Sequence, residues 1–94
     1  MKSFLIVFFL LLFKPGTSQV GIGTTNPNVS AILDISSSDK GLLIPRIALV
    51  HPILSDPLGS HVAGMFVYNT ALNTVMKPGF FMNDGIKWVS VTGA

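Results

Sequence analysis

Cysteine and glutamate are both missing from this chain of 94 residues, and charged side chains of every kind make up only 11% of it. Without cysteine no disulfide staples the fold, and no lipid can be attached to a cysteine behind an export signal. Without glutamate, carboxylate chemistry falls to Asp34, Asp39, Asp56 and Asp84, which sit beside turn residues or at strand positions. A glycosidase pair would need two of them across a cleft that so short a chain does not form. An excess of one charge is lacking beyond residue 18, where Lys40, Arg46, Lys77 and Lys87 balance the four aspartates. No basic stripe is present to displace counterions from phosphates, which excludes nucleic acid as a partner. A near-neutral chain also repels its own copies weakly, which favours association.

What the chain has in excess is an apolar start. Lys2 precedes an unbroken apolar run from Phe4 to Phe13, followed by Lys14, Pro15 and the small or polar Gly16, Thr17 and Ser18. This is the layout of a secretory signal over residues 1–18. Ten helical residues reach about 15 Å, half the hydrocarbon thickness of a bilayer, so the run is short for a membrane span. Cleavage after Ser18, with Gly16 and Ser18 at the small-residue positions, starts the mature chain at Gln19; an uncleaved anchor is the alternative. The expected protein is therefore secreted or on the cell surface, and meets the membrane only through the signal segment during export.

Residues 19–94 are few for an independent core, and domains of that size need a disulfide, a metal or a partner chain. With cysteine absent and no metal set assigned, a homo-oligomer is expected. Residues 19–63 read as an extended β/loop segment. Within it, Gly21 to Asn28 is rich in turn residues, and Ala31 to Ile35 is a short strand. Gly41 to Leu49 is an apolar ribbon that Pro45 restricts to a sheet edge or an extended crossing. His51 to Gly64 is a Pro/Gly loop.

Residues 64–94 read as a three-stranded antiparallel meander, with runs Met65–Asn69, Gly79–Asn83 and Ile86–Val91. Asn83-Asp84-Gly85 joins the last two, because Asp-Gly accepts the positive φ of hairpin turns. The fold class is mainly β. In the first run Phe66 and Tyr68 share one face, and Met65 and Val67 the other. Both faces are apolar, so each needs a cover: the Leu42–Leu49 ribbon for one and a neighbouring chain for the other.

Candidate chemistry is sparse. Gly21-x-Gly23 lacks a third glycine and a preceding strand, so it reads as backbone turns and close packing rather than a dinucleotide loop. His51, Asp56 and His61 lie in the Pro/Gly loop beside Ser55 and Ser60. No rigid element fixes their geometry, and structural zinc takes four ligands, so neither a metal site nor a Ser-His-Asp triad is assigned. No cofactor and no enzymatic activity are expected. The candidate contact residues are Tyr68, Phe81, Asp84 and Trp88. Aromatic faces stack on sugars or anchor interfaces, and Asp84 at the hairpin tip adds a polar contact. Burial within the sheet or between chains is the competing reading for the aromatics.

Gln19-Val20-Gly21-Ile22-Gly23-Thr24-Thr25-Asn26-Pro27, Leu33-Asp34-Ile35 and Lys40-Gly41-Leu42-Leu43-Ile44-Pro45-Arg46 together resemble the start of a group of exported Gram-negative bacterial proteins. The same phrases resemble modules of phage tail fibres and adhesin-like proteins. Gly64–Thr70, Pro78–Phe81 and Asp84–Val89 are similar to the downstream part of that pattern. The resemblance implies a β-structured, trimeric fibre or surface module without catalysis, with a surface glycan or a protein as receptor. Two features depart from it. Relatives commonly continue into a longer C-terminal region, and Val50-His51-Pro52 is proline-broken where relatives are more helix-friendly. Two functions thus stand side by side: a self-assembling structural module of fibre or adhesin type, and a small glycan-binding module using Trp88 and Tyr68 near the Asp84-Gly85 hairpin.

Overall fold

Every regular element among residues 18–91, the part that the computed structural model describes, is a β-strand. The expected signal segment lies outside the described residues except for Ser18. Among the described residues no helix is long and apolar enough to cross a membrane. The strands are β1 (Val20–Ile22), β2 (Leu33–Ile35), β3 (Arg46–Ile47), β4 (Phe66–Asn69), β5 (Gly79–Asn83) and β6 (Trp88–Ser90). They belong to two compact units, one ending at Gly41 and the other beginning at Leu42.

In the first unit β1 and β2 pair in parallel, with Val20 opposite Leu33, Gly21 opposite Asp34 and Ile22 opposite Ile35. The intervening loop is fixed by polar side chains. Asn28 N–H donates to Asp34 Oδ2 at 2.8 Å, and Gln19 Nε2 donates to the carbonyls of Asn28 and Ala31, both at 2.8 Å. Both glycines of the Gly21-x-Gly23 pair are there for steric reasons. A Cβ on Gly21 would meet Pro27 Cγ and Thr24 O at 2.7 Å, and Gly23, at φ +76°, lies directly against the Ser36 carbonyl. The close-packing reading of this pair is thereby given atoms.

The second unit is one sheet in the order β3-β4-β5-β6, with β3 parallel to β4 and the rest antiparallel. The meander expected from the sequence is β4-β5-β6. The apolar ribbon joins it as a fourth, edge strand: Tyr68 N–H donates to Pro45 O at 3.0 Å and Thr70 N–H to Ile47 O at 2.9 Å. Pro45 is tolerated because an edge uses its carbonyl without needing an N–H.

Strand alternation then separates two faces. Val67, Asn69, Phe81, Asn83 and Trp88 point to one side and are all buried. Leu49, from the chain just beyond β3, and Met76, from the β4–β5 connection, complete this core, with Ile47 and Leu58 packed against it. Met76 gets there through a tight turn, in which Asn73 Oδ1 accepts from the N–H groups of Val75 and Met76 at 2.9 and 2.8 Å.

Asn69 is the polar centre of the unit and is fully buried. Its Oδ1 accepts from Leu49 N–H and Ala71 N–H, both at 2.9 Å. Its Nδ2 donates to Ala71 O at 3.1 Å and Lys77 O at 2.8 Å. One amide thus uses its full capacity to hold three segments of irregular backbone against the end of β4.

At the other end, Asp84 Oδ1 accepts from Ile86 N–H at 2.8 Å and Lys87 N–H at 2.9 Å. Those two amides are therefore not available to the ladder, and β6 begins at Trp88 rather than at the expected Ile86. The hydrogen bonds from Lys87 and then Ile86 hold the Asp84 carboxyl below its ordinary range.

Replacing Asn69 by Ala leaves two N–H groups and two carbonyls without partners in a dry site, and the loss is expected to be on the order of 3 kcal/mol. It is measured as a drop in denaturation midpoint at fixed protein concentration. For Asp84 the folded value is the lower one, so its contribution is present at neutral pH and disappears as pH falls through the folded titration. Exchange protection of the Ile86 and Lys87 amides is expected to fall on acidification in step with an NMR titration of the Asp84 carboxyl, and not to change above the ordinary aspartate range.

Candidate functional site

Among the described residues, nothing buries the second face of the sheet. β4 contributes Phe66 and Tyr68, β5 contributes Phe80 and Met82, and β6 contributes Val89. The register sets Phe66 beside Met82, Tyr68 beside Phe80, and Met82 beside Val89. Phe80 organises the group. Its ring stacks on Phe66 with centroids 5.8 Å apart and meets Tyr68 edge-on at 5.2 Å. Despite these contacts Phe66, Phe80, Met82 and Val89 stay about two-fifths exposed (41%, 44%, 43% and 39%).

Beside the rings, Leu42, Leu43, Ile44, Arg46, Tyr68 and Phe80 frame a hollow of about 170 Å³. Among the strand residues of this face, Arg46 on the outermost strand carries the sole charge. This surface has as its polar groups the Tyr68 hydroxyl and the Arg46 guanidinium. It has the composition of an interface centre: aromatic, methionine-bearing and depleted of charge.

The four contact residues expected from the sequence are not brought together. Tyr68 is half-buried on the bare face. Phe81 and Trp88 are core residues on the opposite face, 8% and 3% exposed, where both border a hollow of about 560 Å³ together with Pro52, Met76 and Ser90. Asp84 is exposed at the hairpin tip, engaged with its own turn. The Trp88 indole Nε1 is the buried side-chain polar atom left without a partner among the described residues. Its backbone N–H donates to Pro52 O at 2.8 Å, which fastens the long loop along β6.

The two histidines weighed as ligands have structural work. Ile53 N–H donates to His51 Nδ1 at 3.1 Å. His61 stands between Asn83 Nδ2 and Ile53 O, at 2.8 Å from each. With its proton on Nε2, the ring accepts from Asn83 and donates to Ile53, satisfying both groups. Among the described residues no three His or Asp side chains gather as a metal site. Phe80 and Met82 were not singled out as contact residues from the sequence. The signal that finds them is register: once Asp84-Gly85 fixes Asn83 opposite Trp88, Asn83 and Phe81 share the Trp88 face, and the alternate residues of β5, Met82 and Phe80, fall on the face of Phe66 and Tyr68.

Comparison with curated proteins finds no match, and comparison with solved structures finds none either. The family model described as "Phage tail like trimerisation region" matches residues 21–94, from Gly21 in β1 through all of β2 to β6, and the chain belongs to that family.

Proposed function

We propose that this chain is a non-catalytic structural module that self-assembles as a trimer, three copies burying the Phe66–Tyr68–Phe80 face against one another. The observation that carries this reading is a charge-poor aromatic sheet face, left bare by the chain's own fold, in a member of a trimerisation family. Completing the burial of each half-exposed Phe or Met side chain contributes about 1 kcal/mol, and aromatic packing between copies adds to it. Several such side chains per copy offset the cost of association.

The assembly is a fibre- or adhesin-like part working outside the cytoplasm, secreted or on the surface of a Gram-negative cell. The signal layout of residues 1–18 and the resemblance to exported proteins support this. A surface glycan or protein is the expected receptor for such an assembly. The glycan-binding module is the weaker reading, since Trp88, the residue it leaned on, is enclosed in the core.

Light scattering across a dilution series is expected to give the mass of a trimer for the purified chain. Phe80→Asp is expected to give a folded monomer, because Phe80 lies outside the chain's own core. A parent chain that is monomeric at every concentration would overturn the proposal. Export is checked separately: protein recovered outside the cytoplasm is expected to begin at Gln19 by mass spectrometry, and retention of residues 1–18 would favour the anchor.

A further inference from the structure

The N-terminal unit has apolar residues but, among its described residues, no core. Among residues 18–41 no side chain is buried. The parallel register nevertheless sets Val20, Ile22, Leu33 and Ile35 on one side of the β1–β2 pair, where they remain 51%, 55%, 50% and 40% exposed. On the other side Pro27 and Thr24 lie over Gly21, and the Asp34 carboxylate is held by Asn28 N–H. A two-stranded sheet is not stable in isolation, and parallel strands are normally covered on both faces. Here the loop partly covers one side, and among the described residues nothing covers the other.

The occupant follows from composition and from the extent of the family match. The four side chains are aliphatic and uncharged, so they suit a like surface and offer nothing to an anion, a cation or a sugar. The family match begins at Gly21, so it takes in all of β2 and all of β1 but Val20, as well as the sheet that starts at β3. We infer that the β1–β2 face is a second self-association surface, and that the N-terminal unit acquires its core only from other copies of this chain. The inference rests on the trimer reading above and adds a second point of assembly to it.

The test uses the full exported chain and the variant Leu33→Asp. At a half-exposed position of a unit that folds alone, this change alters stability little. Inside a core shared between copies it places a carboxylate where nothing pairs with it. The expected result is that trimers of Leu33→Asp dissociate at a concentration at least about tenfold higher than those of the parent. The Val20 and Ser36 amides, bonded to Ile32 O at 2.7 Å and Ile22 O at 2.9 Å, are expected to lose exchange protection. The Leu49 amide, bonded to Asn69, keeps its protection.

A second measurement does not depend on that variant folding. In monomeric Phe80→Asp the Val20 and Ser36 amides are expected to exchange freely. Parent-like dissociation of Leu33→Asp, or retained protection of those amides in the Phe80→Asp monomer, overturns the inference and leaves the trimer reading intact. A parent chain that never forms trimers overturns both.

Discussion

One buried amide decides which face of the sheet the chain can cover by itself. Most of the second unit is irregular backbone, and loops become a core layer only if their polar groups are met. Asn69 meets four of them at once, from Leu49 N–H to Lys77 O. That fixes Leu49 and the turn carrying Met76 over Val67, Phe81 and Trp88. Asn83 does the corresponding work at the far end through His61 and Gly85 N–H. Loops, rather than a helix or a second sheet, therefore form the covering layer. They suffice for one side only.

The uncovered side follows from that economy. The sheet of four short strands has two apolar faces, and the described loops bury one of them. The remaining face is not a random scatter of exposed hydrophobic residues, which any surface carries. It is contiguous, aromatic at its centre and nearly free of charge, and the chain belongs to a trimerisation family. The N-terminal unit repeats the pattern on a smaller scale with aliphatic residues. In both units polar side chains fix the backbone locally, and the apolar surface they organise stays part-exposed among the described residues.

Much of the second unit was legible in the sequence. Asp84-Gly85 placed the hairpin, Pro45 restricted the ribbon to an edge or an extended crossing, and alternation of Val67 with Phe66 and Tyr68 foretold two apolar faces. What was not legible depends on contacts distant in sequence. Nothing in Thr70–Pro78 marks Met76 as core, because its burial requires Asn73 to turn the chain and Asn69 to hold it. Asn69 itself reads as an ordinary strand-ending residue. The parallel pairing of β1 with β2 has no turn signature, unlike a hairpin. Composition also could not say which apolar face the loops would choose, so Trp88 and Phe81 were grouped with Tyr68 although the fold sets them on opposite sides.

That division of the aromatic residues gives the protein two internal reporters. Its single tryptophan, Trp88, lies in the core that each chain builds alone, and its single tyrosine, Tyr68, lies on the bare face. Indole emission therefore follows the folding of an individual chain, while the phenol ring senses whatever comes to rest on the sheet. Folding and docking, so often entangled in small oligomeric proteins, have separate optical signatures here without any added label.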